Sequence, residues 1–346
     1  MKILVIFTGG TIGSSIKQGG ADVDQTMQHV LLKQYKNDSN IEFITSSPYS
    51  VLSENLSAIE LNLLQNEIAK GLESDNDGII VTHGTDTLQY TAAAIEIAFS
   101  NTNRPIVFVS ADYPLENPKT NGHINFEAAV EFIKTKKQNG VFVSYKNNTE
   151  KKTAIHIASH ILQHLELDSN IYSLDSAPFA TYDKEIVFNH EPIRPESSIG
   201  TVNYMSNPGI LSIESCPGNH YSYSLEQVQA IILKPYHSGT LNTSNHAFCN
   251  FCRQAKERKV PVFVMSSSTN VSYKSTELYH DLGITPIYHS TYISAYIKIW
   301  AAISLGKSAD TFVNTQNAQR KLNKRPNYKR IIMNKLYIFI FSNVIN

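Results

Sequence analysis

Ile3-Leu4-Val5-Ile6-Phe7-Thr8-Gly9-Gly10-Thr11-Ile12-Gly13 begins as a short apolar, β-branched run and stops at two adjacent glycines. Such a run has the length and composition of a buried parallel strand. The glycines end it, because adjacent glycines give the backbone conformations closed to other residues and let another group approach closely. Thr8 and Thr11 are therefore expected on a tight turn at the carboxyl end of a strand, the edge where open α/β sheets bind ligands. The same residues also suit a plain strand-ending turn, and their spacing is not the Gly-x-Gly-x-x-Gly of a dinucleotide site.

A second stretch repeats the pattern. Gly78-Ile79-Ile80-Val81-Thr82 reads as a strand that runs into His83-Gly84-Thr85-Asp86-Thr87, and Leu88, Thr91, Ala92, Ile95, Ala98 and Phe99 then recur at helical spacing. Thr85 and Asp86 stand where that helix begins, and the simplest use of such residues there is an N-cap. A cap alone does not call for His-Gly-Thr-Asp-Thr. Pro105–Val109 is a third buried strand of this kind and ends at Ser110-Ala111-Asp112. Strands alternating with helices through this region predict a doubly wound, mostly parallel α/β sheet.

Thr-Gly-Gly-Thr-Ile-Gly at 8–13 and His-Gly-Thr-Asp-Thr at 83–87, with Leu52-Ser53-Glu54-Asn55 between them, resemble the signatures of the bacterial-type, cytoplasmic asparaginase/glutaminase family. The similarity runs from Met1 to about Leu305. It implies hydrolysis of the side-chain amide of L-asparagine, with Thr11 as nucleophile and Thr85 and Asp86 completing the catalytic group. Gly10, Ser53, Glu54, Gly84 and Ala111 are implied as substrate contacts, and Ser266 as a residue reaching a neighbouring subunit's site. A homodimer or homotetramer follows from the same resemblance.

Three positions depart from the family pattern. No tyrosine occurs between Ser14 and Val30, where the family's flap carries one. Ser159-His160-Ile161-Leu162-Gln163-His164 holds no lysine where the family places its catalytic one. Ile293 stands where many members have a glutamate that meets the substrate's amino group across the dimer. His160 or His164 can act as a base in the lysine's place, since imidazole titrates near neutrality, although loop histidines are commonly surface residues.

Composition is consistent with an ordinary enzyme. The chain has 346 residues, 42% of them apolar, and a formal net charge of +0. That is enough for two cores, and it argues against nucleic acid or an anionic membrane as the main partner. The amino terminus enters a strand directly, with no leader pattern, so a cytoplasmic protein is expected. Cys216, Cys249 and Cys252 are too few for a disulfide framework, and Cys249-x-x-Cys252 lacks a second ligand pair for zinc. No metal or cofactor is expected, and the expected partner is a small amino acid substrate.

The remaining segments organise around this frame. Ser14–Asp24 reads as a polar, glycine-hinged loop, and Ser57-x-x-Glu60 as a capping box before a helix. Gly140–Ser144 and Ala154–Ile157 form a hairpin about Asn147-Asn148-Thr149, with Lys151 and Lys152 as solvated charges. The expected organisation is a larger α/β domain over 1–188, a linker over 189–199, and a smaller α/β domain over 200–310. Helices are expected near 224–228, 246–259 and 290–305. A tail over 311–346 has a basic run and an apolar end too short to span a bilayer.

Amide hydrolysis needs a nucleophile, a proton acceptor, oxyanion donors and protonation of departing ammonia. Thr11, the Thr85-Asp86 pair and the backbone N–H groups at Gly9-Gly10 and Gly84 are the candidates. Two other readings stand beside the hydrolase. One is a weakened homologue that binds asparagine or aspartate as a sensor. The other is the amidase component of a tRNA-dependent amidotransferase, ranked last because the chain starts at its first strand. Asparagine and glutamine differ by one methylene, worth about 1–3 kcal/mol, so the residues do not choose between them.

Overall fold

The computed structural model describes residues 1–17, 20–23, 30–33, 40–174, 177–190, 198–266, 273–288, 290–310 and 312–313. Strands β1 (Lys2–Phe7), β4 (Glu42–Ser46), β5 (Gly78–Thr82), β6 (Pro105–Val109), β7 (Gly140–Tyr145), β8 (Thr153–Ile157), β9 (Ala180–Asp183) and β10 (Glu185–Phe188) form one sheet. Its order is β10-β9-β8-β7-β6-β5-β1-β4. From β4 to β7 all pairs are parallel, and the β7–β8–β9–β10 edge is antiparallel. The parallel strands β5, β6 and β7 are buried along their whole length, as strands covered on both faces must be.

Helix α1 (Ala58–Glu73) and helix α2 (Leu88–Phe99) cover one face, and helix α3 (Gly122–Lys134) covers the other. The capping box at α1 forms as its spacing predicts, with Ser57 accepting from Ile59 N–H and the Glu60 carboxylate accepting from Ser57 N–H. On the α3 face, Phe132, Phe142, Phe179 and Phe188 pack as an aromatic cluster with centroid separations of 4.8 to 6.4 Å.

A second, parallel sheet orders β11 (Ile210–Glu214), β12 (Ala230–Lys234), β13 (Val262–Met265) and β14 (Ile284–Ile287) in sequence. Helix α4 (His246–Glu257) packs its aromatic face on this sheet, and helix α5 (Tyr292–Ser304) lies between the sheet and α2. The helix expected at 224–228 does not form. Gln227 takes φ of 59°, a left-handed conformation that no helix continues through.

The segment after the first motif also differs from the expected loop. Residues Ser14–Lys17 (β2) and Gly20–Val23 (β3) pair as an antiparallel ribbon, which satisfies the polar backbone within the ribbon itself. The expected linker lies partly outside the described residues, and the expected tail almost wholly so. Phe312 and Val313, at the start of that tail, are buried in the core between α2 and α5.

α2 is buried on two sides. Leu88, Ala92 and Ile95 face the large sheet, while Ala93, Ala94 and Ile97 join the core shared with α5 and the second sheet. Two amides on α1 add a polar clamp. Gln65, 1% exposed, donates to Val202 O and accepts from Val202 N–H, both at 2.9 Å. One turn earlier, Asn62 does the same for Tyr204, at 2.9 and 2.8 Å. Replacing Gln65 with Met keeps the volume but leaves two buried backbone groups unpaired. Gln65→Met is expected to cost about 3 kcal/mol, read as a lowered denaturant midpoint.

Candidate active site

The two glycine-containing turns leave the large sheet side by side. Phe7 and Thr82 are the last paired residues of β1 and β5, so residues 8–13 and 83–87 both begin at the carboxyl edge of the same strand pair. The chain passes from β1 to β4 on one side and returns to β5 on the other. This reversal makes the β1/β5 crevice the topological switch point of the sheet, where ligands bind in open α/β folds.

Local contacts draw the turns together. The Thr8 hydroxyl donates to Thr82 O at 2.7 Å, carrying the strand pairing one residue further. Gly9 and Gly10 take φ of 98° and 75°, and Gly10 N–H donates to Val51 O at 3.1 Å. A Cβ on Gly10 would lie 2.2 Å from Gly84 N, and one on Gly84 would lie 2.4 Å from Ser53 Oγ. Bare backbone is thus required at both glycines, and it brings three segments distant in sequence into van der Waals contact.

Thr11 opens the 3-10 turn Thr11–Gly13 beside this junction and is half-buried. Ser53, 5% exposed, begins the 3-10 turn Ser53–Asn55, while Glu54 next to it is exposed. The Ser53 hydroxyl donates to the Asp86 carboxylate at 3.3 Å, and the Thr87 hydroxyl donates to Ser53 O at 2.8 Å. The expected capping role of Thr85 and Asp86 is not what forms. The N-cap of α2 is Thr87, without a side-chain cap bond, which leaves the Asp86 carboxylate turned to Ser53. Thr85 is half-buried and Asp86 exposed.

Buried polar groups hold the floor. His83 donates its backbone N–H to Val109 O at 2.9 Å, and its carbonyl accepts from the Ser110 hydroxyl at 2.7 Å. Its Nδ1 lies 2.8 Å from Gly84 O, and since a carbonyl only accepts, Nδ1 carries the proton. Burial pushes the His83 pKa down to about 4, so the ring is neutral near pH 7. Ala111, fully buried, follows Ser110. Asn121 and Asn125 then tie this strand end to the β7–β8 turn through Asp112, Ser110 and Lys146. Those asparagines belong to neither motif.

The loop that lacks a lysine brings a histidine instead. His164 feels the Asp86 carboxylate, although burial is the larger influence and lowers its pKa below the usual histidine value. Its Nε2 is buried without a hydrogen-bond partner among the described residues. His156, read from sequence only as part of a strand, sits on β8 with Nδ1 3.2 Å from Ser173 Oγ. Tyr49 is a further residue the motifs did not flag. Burial holds its phenol above the ordinary tyrosine pKa, and it lies beside Thr8. Ser266 stands apart from the Thr11 junction, at the end of β13 in the second sheet, with its N–H on Ile287 O at 2.9 Å. Ile293 is fully buried in the core around α5, a position a carboxylate could not occupy unpaired. Among the described residues, no group of three or more His, Cys, Asp or Glu side chains is placed to hold a metal ion, and no helix is long and apolar enough to cross a membrane.

Two outcomes follow from this geometry. Gly10→Ala must displace backbone at Gly84 and is expected to cost about 2 kcal/mol or more, measured by denaturant unfolding. His83 makes stability depend on pH. Below about 6.5 the unfolded chain binds a proton that the folded ring refuses until about pH 4, so stability falls as pH drops through that window. His83→Asn, which keeps a donor for Gly84 O, is expected to make that fall shallower in thermal melts taken across the window.

The chain matches the family model described as "Asparaginase, N-terminal" over residues 2–194. It is 27% identical over 280 residues to a glutamyl-tRNA(Gln) amidotransferase subunit of Methanosarcina mazei, covering 78% of this chain and 65% of that protein. It is 26% identical over 276 residues to L-asparaginase 1 of Escherichia coli, covering 75% and 78% respectively. Its fold superposes on the thermostable L-asparaginase from Thermococcus kodakarensis with a TM-score of 0.76 at 19% identity, over 91% of this chain and 97% of that one. The chain spans 41% to 65% of the length of the first five amidotransferase subunits it matches. With a family match over more than half its length and both motif turns at the switch point of the sheet, the chain belongs to the asparaginase family.

Proposed function

We propose that this protein hydrolyses the side-chain amide of L-asparagine to L-aspartate and ammonia, with Thr11 as nucleophile. The observation that carries this reading is the contact of Gly10 in the Thr8–Gly13 turn with Gly84, and of Gly84 with Ser53, beside the Ser53–Asp86 hydrogen bond. The Thr11 hydroxyl adds to the amide carbon, and the carbonyl electrons move to its oxygen. Collapse of this tetrahedral adduct expels ammonia, which takes a proton, and leaves an ester on Thr11. Water then cleaves the ester and returns the proton to Thr11. Gly10 N–H is already bonded to Val51, which leaves Gly84 N–H as the stronger candidate for an oxyanion donor.

A threonine hydroxyl needs a base. His164 is our candidate for the family's missing lysine, because burial lowers its pKa and favours the neutral ring, its Nε2 is unpartnered among the described residues and Asp86 acts on it. In this reading Thr85 and Asp86 relay the proton between it and the nucleophile. In this reading Ser53 and Glu54 meet the amino acid, and Ser266 serves a second copy of the chain in a homo-oligomer. Three free cysteines fit a reducing, cytoplasmic setting. The similarity to amidotransferase subunits favours a second reading, in which the ammonia passes to a partner protein.

Ammonia release from L-asparagine and L-glutamine by the wild type and Thr11→Ala tests the proposal. Thr11→Ala is expected to lower kcat roughly 10³-fold or more while asparagine still raises its melting temperature. Equal turnover by both forms overturns the nucleophile assignment. No turnover by the wild type, with asparagine or aspartate still stabilising it, favours a sensor. His164 predicts a pH signature as well. Activity needs its neutral ring, so kcat/KM falls on acidification through a pKa below 6.5, and His164→Gln is expected to remove that limb and lower the rate roughly 10²–10⁴-fold.

A further inference from the structure

A cavity of about 510 Å³ opens between the two halves of the molecule. One wall is aromatic. Tyr90 of α2 meets Tyr296 of α5 edge to face at 6.1 Å and 89°, and Tyr296 meets Trp300, one turn on, at 6.2 Å and 73°. The opposite rim is charged. Glu214 and Lys234, the last residues of β11 and β12, form an ion pair at 2.9 Å and both line the cavity. The cavity therefore lies outside the carboxyl ends of two parallel strands, the edge at which such sheets bind ligands, and its volume suits a small molecule.

The lining selects among ligand classes. A simple anion or cation would meet one favourable and one unfavourable charge on the Glu214–Lys234 rim. A zwitterion matches both, and its apolar part can lie on the tyrosine and tryptophan rings. Lys234 and Glu214 are 41% and 69% exposed, so opening their pair to admit such a ligand costs little. We propose that this cavity binds a free α-amino acid with an apolar or aromatic side chain, its carboxylate on Lys234 and its ammonium on Glu214. The cavity also has a route to the crevice described above. Thr87 lines it, follows Asp86 directly and donates to Ser53 O at 2.8 Å, so an occupant touches the segment that positions both residues.

Trp300 is the chain's only tryptophan and lines the cavity, so its fluorescence reports occupancy without any assay of activity. The full-length protein is titrated with L-phenylalanine and L-leucine, then with phenethylamine and 3-phenylpropionate, each of which lacks one of the two charges. A saturable change with the amino acids is expected, with both single-charge analogues binding roughly tenfold more weakly. Lys234→Met is expected to weaken phenylalanine roughly tenfold and to leave phenethylamine no weaker. No saturable change with either amino acid, or equal binding of the zwitterion and its single-charge analogues, overturns the proposal. So does unaltered phenylalanine binding by Lys234→Met. Because the readout is fluorescence, these results stand whether or not Thr11 proves to be the nucleophile.

Discussion

The parallel pairing of β1 with β5 is the constraint on which the rest of this molecule depends. The two strands are distant in sequence, and the chain visits β4 on the far side of β1 before returning to β5. The backbone hydrogen bonds that join them end at Phe7 and Thr82, so both motif turns are delivered to one edge at one level. Thr8 extends the pairing through its hydroxyl, and Gly10 then approaches Gly84 so closely that neither position has room for a side chain. Catalytic geometry needs placement within fractions of an ångström, and strand ends supply it better than free loops do.

Around that crevice the structure is stiff in particular ways. α2 is N-capped by Thr87, just beyond Asp86, and its apolar residues divide between the large sheet and the core shared with α5. Movement of α2 would disturb both cores at once. Gln65 and Asn62 meanwhile satisfy the backbone of the 202–204 segment in the manner of a neighbouring strand. The halves of the molecule are joined by packing and directed bonds together, and the cavity beside Tyr90 and Trp300 lies within that joint.

The departures from the family pattern acquire physical content in this setting. Ile293 lies fully inside an apolar core, so that position does no work for an amino group from within this chain. Where a lysine is missing, a neutral imidazole whose buried Nε2 has no partner among the described residues lies in the field of Asp86. An ammonium in such a site would have to shed its proton before acting as a base, whereas burial lowers the His164 pKa below the usual histidine value and so favours its neutral ring.

The strands and most helices were legible in the sequence because apolar period and turn residues are local properties. β1, β5, β6 and α1 with its capping box followed from them, as did the Thr11 and Asp86 turns at strand ends. Local reading failed where a single backbone conformation decided the outcome, as at Gln227, or where two polar segments satisfied each other, as in the β2–β3 ribbon. The Asp86 cap failed for a related reason: Ser53, more than thirty residues away, competes for the carboxylate. By itself the sequence determined the elements, the motifs and the family to which they point. The tertiary structure alone decided which residues come together: Gly10 with Gly84, Gly84 with Ser53, His164 within the field of Asp86, and the Glu214–Lys234 pair with the aromatic wall. Contacts of that kind are set by strand order and helix packing, which no local pattern encodes.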